Sequence, residues 1–418
     1  MAQLGGRRLG RHILATHGRR VQGVTSPDPE ANVDAWLRPT RADRPRTGLA
    51  QLVGAPGHPR TAPDGLGLSQ QRIRRPPVGT GPTLRDFTSI GAVVESAAAG
   101  TLTLEPYRRE LTAYCYRMLG SGFEAEDAVQ ETMLRAWRSS GGFEGRSSVR
   151  TWLYRIATNV CIDMGRQVQR RARPMEMGPS SPPDESLLGR FLPEATWVMP
   201  IPGHQAGPDG TDPAVVAEYR ESVRLAFVAA LQHLPPRQRA VLILCEVLQW
   251  PAAEAAELLE SSVASVNSAL QRARASLSAL PPGPHPEPLG EADEALLHRY
   301  VDAFERYDIE ALVGLLHEDA VQSMPPFQLW LEGAGNIATW MVQPGPSECR
   351  GSRLLATSAN GSPAFGQYHR DPNGGYSPWA LQVLEVSGGR IAALSFFLDF
   401  LAPERLFPAF GLPLHLDG

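Results

Sequence analysis

The fold of the first predicted domain is decided by the stretch EAEDAVQETMLRAWRSSGGFEGRSSVRTWLYRIATNVCIDM, which spans residues 124–164. Apolar residues recur in it every three or four positions, which predicts one helix over 124–137 and another that starts after Ser147 or Ser148. An earlier helix ends at Gly120. The inward positions of the two later helices are predicted to be Ala128, Val129, Met133, Leu134, Trp137, Trp152, Leu153, Ile156, Val160 and Met164.

A helix-turn-helix pattern lies further along, in PAAEAAELLESSVASVNSALQRARASL at 251–277. Pro251 suits the first turn of a helix that runs to Leu259, and a second helix is expected from Val263 to about Leu280. Its predicted apolar stripe is Val263, Val266, Leu270, Ala273 and Leu277. The opposite face has no acid and carries small residues, donors and arginines, as DNA recognition requires: Ser265, Asn267, Ser268, Gln271, Arg272 and Arg274.

The chemistry of this second helix suggests which groups it could read. Asn267 and Gln271 can each pair with adenine through two hydrogen bonds, and Arg272 suits guanine or phosphate. A solvated helix hairpin without DNA-binding activity remains the alternative at this point.

Composition restricts the class of protein. The chain has 418 residues, of which 42% are hydrophobic, and no run approaches the roughly 18 apolar residues of a membrane span. We therefore expect a soluble, cytoplasmic protein. The four cysteines are scattered without metal-ligand spacing. No phosphate-binding loop, carboxylate pair or Ser/His/Asp pattern stands out, so the sequence predicts no cofactor, no metal and no catalytic residues.

Charge is segregated along the chain. The net charge is −4, and all 40 basic residues are Arg. Residues 107–173 contain 12 Arg and seven acids, whereas residues 291–418 contain seven Arg and 16 acids. Positive charge is thus concentrated where DNA could bind.

Shifts in composition predict six segments. Residues 1–100, rich in Arg, Pro and Gly, are expected to be disordered. Two all-α units follow: a first helical block and a second helical block that holds the helix-turn-helix. The last part, with helices followed by alternating strands, is expected to be an α+β domain with a curved antiparallel sheet. The segments are 1–100, the first helical block 101–173, the interblock segment 174–213, the second helical block 214–280, a Pro-rich linker 281–290 and the C-terminal domain 291–418.

The strand predictions in the C-terminal domain rest on alternation. A helix is expected over 309–316, before the strands, and Gly388-Gly389 is expected to turn between the last two. The strands are predicted at 328–331, 353–358, 364–370, 380–386 and 390–398. The interblock segment is expected to lack regular structure because it is rich in Pro and Gly.

The motifs DAVQETMLRAW and FEGRSSVRTWLYRIATN, followed by the helix-turn-helix, resemble the extracytoplasmic-function group of the sigma-70 family of RNA polymerase sigma factors. The resemblance covers about 105–280. The stretches HRYVDAFERYDIEALVGLLHEDAVQSMPP and FLDF…LFPAFGLP resemble the SnoaL-like, NTF2-like cone, which is fused to the C-terminus of certain members of this group.

The sigma resemblance implies two partners, core RNA polymerase (its β′ clamp and β subunits) and promoter DNA. Asp127, Gln130 and Glu131, on one helix face, would contact the clamp. The second helical block would read the minus-thirty-five element. The minus-ten element would be bound by Phe143, Gly145, Arg146, Ser147, Arg150, Trp152, Arg155, Asn159, Arg166 and Arg170.

Some residues of the first helical block and the interblock segment have more specific roles in this interpretation. Phe143 offers a stacking surface for a flipped base, and Arg171 also suits a phosphate. Trp152 is equally consistent with a core position, because its spacing with Ile156 is helical. The interblock segment would thread toward the polymerase active-site cleft.

The C-terminal cone has three interpretations: a ligand-sensing or regulatory domain, a structural brace that makes an intramolecular contact, or an enzyme. Its acidity favours modulation in cis by competition with DNA for the arginines. Candidate polar groups are His317, Asp319, Tyr368, His369 and Asp399, and Trp330, Trp340, Phe365 and Trp379 would line the interior.

The sequence therefore predicts a sigma factor without enzymatic activity, which promotes promoter opening. A DNA-binding regulator that never joins polymerase is the alternative.

Overall fold

The computed structural model describes residues 103–143, 145, 147–166, 170–189, 191–205, 213–280, 291–372, 374–402 and 404–417. Predictions for residues 1–100, Arg146 and the linker 281–290 lie outside these ranges. Within them the chain forms two helical blocks and a C-terminal α+β domain, which confirms the predicted fold class.

The first helical block contains α1 (Arg108–Leu119), α2 (Gly122–Ser139) and α3 (Val149–Gly165). Gly120 ends α1 in the left-handed conformation, with φ 74°, which glycine adopts without strain. The hydroxyls of Ser121 and Ser148 cap α2 and α3 by accepting backbone N–H groups. Inside the block, Tyr114 is buried with its hydroxyl 2.7 Å from that of Thr158, so the two buried hydroxyls satisfy each other.

The second helical block contains α4 (Pro213–Val223), α5 (Leu225–Gln232), α6 (Pro236–Leu242), α7 (Ala252–Leu258) and α8 (Val263–Ser278). A π-helical turn over Ile243–Val247 extends α6. Between α7 and α8, Glu260 has φ 50° and Ser262 caps α8 by accepting from Ser265 N. The helix-turn-helix therefore forms where it was predicted.

The interblock segment is more ordered than expected. Its described residues form three short 3₁₀ helices, Pro174–Glu176, Glu185–Leu187 and Glu194–Thr196. Trp197 is completely buried, and Ala172 bridges to it in a parallel β-bridge. The prediction of no regular structure was wrong because Pro and Gly prevent long helices and ladders but do not prevent burial of single apolar side chains.

The C-terminal domain packs helices against a six-stranded sheet of order β2-β1-β6-β5-β4-β3. Gly388 and Gly389, with φ 56° and 69°, form the predicted tight turn between β5 and β6. The strands are β1 (Leu316–Ser323), β2 (Trp330–Glu332), β3 (Arg353–Ala359), β4 (Ser362–Arg370), β5 (Tyr376–Ser387) and β6 (Arg390–Leu398). The helices are α9 (Glu291–Arg306), α10 (Ile309–Gly314), α11 (Ala334–Met341), α12 (Pro344–Ser347) and α13 (Leu406–Ala409).

One strand was missed by the sequence analysis. The helix predicted to reach residue 316 ends at Gly314, and β1 follows directly. Its pairing with β6 is parallel, so the sheet is mixed rather than wholly antiparallel. The register shifts between Leu316 and Val321, which breaks the alternation on which strand prediction depends.

Both faces of the sheet are covered. One face closes the cone and forms a core with Trp340 and Phe365, as predicted. The other face joins the core of the two helical blocks through α13 and the chain that follows it. Gly366 permits this contact, because a Cβ atom there would lie 2.7 Å from Leu412 Cδ1. Trp330 and Trp379, predicted for the interior, are only half-buried.

Candidate nucleic-acid interface

An acidic and aromatic stripe is exposed along α2. Asp127 and Gln130 are exposed, and Glu131 Oε1 lies 2.6 Å from Arg135 Nε. Trp137 is 67% exposed, so its predicted inward position was wrong. At about 100° per residue, Trp137 lies about 20° from Gln130 and thus belongs to the same stripe. This α2 stripe unites the three residues predicted for the polymerase contact with an exposed indole.

The loop before α3 brings two aromatic rings together. The centroid of Phe143 lies 4.9 Å from that of Trp152, and both side chains are half-buried. Gly145 has φ 68° with open space around its Cα, and Ser147 is half-buried. The two rings form a platform beside a backbone that DNA could approach closely.

The face of α3 is partly covered by the second helical block. Arg150 Nε donates to Glu110 Oε2 at 2.9 Å, and its guanidinium lies 5.2 Å from the ring of Trp250. Tyr154 also contacts that ring, with centroids 5.0 Å apart. Arg155 Nη2 donates to Glu257 O at 3.3 Å. Arg150 and Arg155 are therefore occupied by protein in this arrangement.

The remaining residues predicted for the minus-ten element lie nearer the end of α3. Asn159 is exposed, and Arg166 pairs with Asp163 at 3.2 Å. Arg170 is exposed and bonds His233 Nδ1 at 3.2 Å. Burial, together with the positive charge of Arg170, lowers the pKa of His233.

Arg171 does not fit the phosphate contact predicted for it. It is only 2% exposed, its Nη2 lies 2.6 Å from Glu124 Oε1, and its Nη1 donates to Trp197 O at 2.7 Å. The guanidinium holds the interblock segment against α2. The Arg-rich pattern of 166–173 did not distinguish this structural arginine from its exposed neighbours.

The DNA-recognition face of α8 is open. Ser265, Asn267, Ser268, Gln271 and Arg272 are exposed. The exposed Arg274 forms an ion pair with Glu246 on the π-helical turn. The buried side of α8 is formed by Val266, Ala269, Ala273 and Leu277.

Val263 departs from the predicted apolar stripe. It is 44% exposed, because it is the first residue of α8 and its side chain lies beyond the helices that cover the rest of the stripe.

A buried arginine holds the two blocks together, and sequence reasoning missed it. Arg239 on α6 donates to Met118 O at the end of α1, to Gln232 Oε1 at 2.6 Å and to Leu234 O at 3.0 Å. Burial lowers its pKa to about 10, so it stays charged at neutral pH. A cation at a helix C-terminus is favourable, since carbonyl oxygens there lack partners.

The C-terminal domain is anchored to both blocks by one side chain, which was also missed. Asn360, 2% exposed and with φ 55°, lies in the turn between β3 and β4. Its Oδ1 accepts from Ile201 N at 3.1 Å, and its Nδ2 donates to Tyr116 Oη and Val223 O, both at 2.6 Å. The pair Asn360-Gly361 is typical of a tight turn, but this pattern does not predict contacts with the two helical blocks.

A buried ion pair supports the same contact. Arg224, at the start of α5, lies 2.9 Å from Glu385 on β5, and both side chains are almost entirely buried. Arg405 extends the contact to α2, since its guanidinium lies 4.4 Å from the ring of Phe123.

The interblock segment also binds the C-terminal domain. Ser181 N donates to Trp330 O at 2.8 Å, and Trp330 Nε1 donates to Gly178 O at 3.0 Å. Glu185 Oε2 accepts from Gly345 N at 2.7 Å. Leu188 is 7% exposed and belongs to the core of the cone.

The polar groups considered for catalysis in the cone are not gathered in one place. Tyr368 donates to Pro413 O on the sheet face opposite the cone interior, and His317 lies 3.4 Å from Asp319 at the surface. His369 stacks on Trp379 at 4.1 Å, and burial lowers its pKa to about 4. Burial raises the pKa of Asp399 to about 6.

A small cavity lies in the interior of the cone. The cavity beside Tyr300 and Phe304 measures about 20 Å³, enough for one water molecule. Tyr300 Oη donates to Gln382 Oε1 at 2.6 Å, and Gln382 Nε2 donates to Gln367 Oε1 at 2.8 Å. The described residues contain no group of three or more His, Cys, Asp or Glu that could hold a metal ion.

Comparison with known proteins agrees with this organisation. Family models match in order: Sigma-70 region 2 at residues 103–171, Sigma-70 region 4 at 224–277 and the SnoaL-like domain at 297–394. The chain is 44% identical over 351 residues to the ECF RNA polymerase sigma factor SigG of Mycobacterium tuberculosis, covering 81% of this chain and 92% of that protein. It is 30% identical to SigJ of the same species over 217 residues, 51% of this chain and 61% of that one.

The crystal structure of Mycobacterium tuberculosis SigJ aligns over 74% of this chain and 98% of its own, with a TM-score of 0.45 and 23% identity. The two helical blocks match regions 2 and 4 of the sigma-70 family, in that order along the chain. The chain belongs to the ECF RNA polymerase sigma factors, and its C-terminal domain is SnoaL-like. Within the part of the chain that the structure describes, no helix is long and apolar enough to cross a membrane.

Proposed function

We propose that the chain joins core RNA polymerase, recognises promoters through minus-ten and minus-thirty-five elements and promotes strand opening. The observation that carries this proposal is the presence of two exposed helix faces of opposite chemistry. The α2 stripe is acidic and aromatic, and the face of α8 is free of acid and rich in donors. The first suits a protein partner, and the second suits DNA.

The α2 stripe is the proposed contact with the β′ clamp. Exposed aromatic residues flanked by charges dominate the free energy of many interfaces. A DNA-binding regulator that acts without polymerase has no need for such a surface, which disfavours the alternative function.

For the minus-ten element, the platform of Phe143 and Trp152 would stack on unpaired bases, and Ser147 lies in the same loop as Phe143. Asn159, Arg166 and Arg170, toward the other end of α3, would bind further along the DNA. Arg150 and Arg155 would join after the second helical block moves away. Two elements about 25 base pairs apart are separated by about 85 Å at 3.4 Å per base pair. Two blocks held together by the contact between Tyr154 and Trp250, whose ring centroids lie 5.0 Å apart, cannot span that length, so promoter binding would require the blocks to separate.

The C-terminal domain would modulate this separation. It holds both blocks through Asn360 and Arg224, and it holds the interblock segment through Leu188. Its acidic residues do not pair with the arginines proposed for DNA among the described ion pairs; Glu385 meets Arg224 instead. We therefore propose that the domain acts as a brace that keeps the two blocks together. This proposal replaces the hypothesis that its acidic residues compete with DNA for the arginines.

The small size of the cavity beside Tyr300 and Phe304, and the separation of the polar groups considered for catalysis, favour a brace over an enzyme. The proposed domain bounds, 101–173, 214–280 and 291–418, enclose the three family matches. The chain would act in the cytoplasm, where the polymerase is found.

Run-off transcription with bacterial core polymerase on a library of promoter fragments tests the proposal. The full chain should yield specific transcripts, and Asp127→Arg/Glu131→Arg should abolish them while the chain still binds DNA. A matched control, Glu310→Arg/Glu332→Arg, reverses two exposed charges on the C-terminal domain and should transcribe normally. Equal transcription by both double variants would contradict clamp docking through α2. DNA binding without transcripts from any form would favour the regulator.

Removal of residues 291–418 tests the brace. The shortened chain should bind promoter DNA more tightly than the full chain, because the blocks can then separate. Unchanged DNA binding and transcription would disprove modulation by this domain.

A further inference from the structure

We infer that the cleft between the interblock segment and the C-terminal domain binds a small organic cation with an apolar body, such as a quaternary ammonium compound. The ligand would lie against the rings of Phe191 and Phe400 and beside the carboxylate of Glu194. This cleft lies outside the interior of the cone and outside both proposed DNA-binding faces, so the inference does not depend on the proposed function.

The cleft has the size of a small-molecule site. Its walls are formed by residues 191–194 of the interblock segment, by Pro326 after β1, and by Phe400 and Leu401 after β6. It measures about 430 Å³, whereas the cavity inside the cone measures about 20 Å³. Sites for small molecules in proteins measure roughly 300–1,000 Å³. The cleft can therefore hold a molecule with an apolar ring and a charged head.

Hydrogen bonds hold the walls of the cleft in place without a ligand. Leu192 N donates to Pro326 O at 3.1 Å, which joins the two walls. Trp197 Nε1 donates to Leu192 O at 3.3 Å, and Trp197 is completely buried. Sites for small molecules are usually preformed, since ordering a mobile wall would lower the affinity.

Two aromatic rings are exposed side by side in the cleft. Phe191 is 51% exposed and Phe400 is 41% exposed, and their ring centroids lie 5.0 Å apart. The ring of Phe191 also contacts that of the buried Phe327, with centroids 5.3 Å apart. Single exposed apolar residues are common at protein surfaces, but adjacent aromatic rings in a cleft are typical of a binding site. The faces of such rings attract cations.

The charge at the cleft also favours a cation. Glu194 is half-buried, and its carboxylate forms no hydrogen bond or ion pair with the residues that the structure describes. Burial raises the pKa of Glu194, although the positive charges of Arg171 and Arg405 act in the opposite direction. Both arginines are engaged elsewhere, since Arg171 is bound to Glu124 and Arg405 lies over the ring of Phe123. A cation in the cleft would supply the partner that this carboxylate lacks.

The probe for this site is benzyltrimethylammonium, whose charge does not depend on pH. Its neutral analogue is dimethylbenzylcarbinol, which has nearly the same shape. Titration of the full chain with each compound, followed by saturation-transfer NMR of the compound, measures both affinities. The cation should bind about tenfold more tightly, because the rings and Glu194 attract its charge. Equal affinities, or no binding of the cation, would overturn the inference.

Two variants test whether the probe occupies the cleft. Glu194→Gln keeps the shape of the side chain but removes its charge, and Phe400→Leu removes a ring but keeps apolar volume. Each should weaken binding of benzyltrimethylammonium by about threefold to thirtyfold, and Glu194→Gln should leave the affinity for dimethylbenzylcarbinol unchanged. The matched control is Glu332→Gln, which removes the same charge at an exposed position on β2 and should alter neither affinity. Affinity for the cation that is unaltered in both cleft variants would exclude this cleft as the site.

Hydrogen exchange reports the position of the ligand independently. A ligand that contacts both walls must leave before Leu192 N separates from Pro326 O, so exchange at this amide should slow about tenfold at a probe concentration ten times the Kd. The control amide is Gly203 N, which joins the same segment to Ser358 O on β3, outside the cleft. Slowing at Leu192 N alone supports the inference, whereas equal slowing at both amides, or at neither, contradicts it.

Discussion

The α2 stripe and the face of α3 belong to the same small block but differ in availability. Asp127, Gln130 and Trp137 are exposed on α2. On α3, Arg150 and Arg155 contact Trp250 and the backbone of Glu257 in the second helical block. Under the proposed function, a molecule in this arrangement would dock on polymerase before it binds the minus-ten element, so the two steps would be separable.

The largest effect is expected when the contact between the C-terminal domain and the two helical blocks is weakened. Asn360→Gly keeps the left-handed backbone but removes three side-chain hydrogen bonds, at about 1 kcal/mol each, so the free energy that holds the C-terminal domain should fall by about 3 kcal/mol. Binding of promoter DNA should rise severalfold, while polymerase affinity stays unchanged. Fluorescence anisotropy with labelled DNA and with core polymerase measures both.

Asn336→Ala is the control for this variant, because Asn336 is exposed and bonds only within its own domain, at Glu332 O. Unchanged DNA affinity in Asn360→Gly would mean that the α3 face is not restrained by this contact.

The converse experiment damages the α2 stripe. Trp137→Ala removes an exposed ring without leaving a cavity, so the thermal midpoint should not change, whereas polymerase affinity should fall at least about thirtyfold, the cost of an interface hot spot. Leu355→Ala, an exposed apolar residue on β3, should leave affinity intact. Equal affinities for the two variants would remove Trp137 from the docking surface.

Release of the interblock segment should have a local effect. Leu188→Ala removes a side chain from the cone core at a cost of about 2 kcal/mol. Ser181 N and Leu192 N donate to Trp330 O and Pro326 O of the C-terminal domain, so hydrogen exchange at these two amides should accelerate about thirtyfold. Its neighbour Leu187 is 49% exposed, and Leu187→Ala should change neither rate. Acceleration in both variants would show that the segment is not held by Leu188.

The smallest expected effect depends on pH. Burial raises the pKa of Asp399 to about 6, above its value in the unfolded chain, and its Oδ1 has no hydrogen-bond partner among the described residues. Stability should fall as pH rises from about 4 through 6, because the unfolded chain releases this proton first.

Asp399→Asn removes that charge, so above pH 6 the variant should be more stable than the unaltered chain by at most about 1 kcal/mol after discounting for solvent exposure, and its thermal midpoint should be higher. The two midpoints should converge near pH 4. A constant difference across this range would exclude ionisation as the cause.

The sequence predicted the parts of the fold that depend on local patterns. Helices α2, α3 and α8, the serine cap of α3 and the Gly388-Gly389 turn follow from periodicity and from preferences of single residues. Strand β1 was missed because its register shift breaks the alternation. The predicted inward position of Trp137 was wrong because apolar character by itself does not distinguish a core residue from an exposed one.

For the candidate sites, the sequence by itself determined which residue types lie on the exposed faces of α2 and α8, since helical spacing sets the side of a helix on which a residue falls. Only the tertiary structure decided which arginines are available. Arg171 and Arg239 are buried against carbonyl groups, Arg150 is covered by Trp250, and Arg272 is exposed. Local spacing cannot make that distinction, because burial depends on helices and turns that are distant in the chain and meet only after folding.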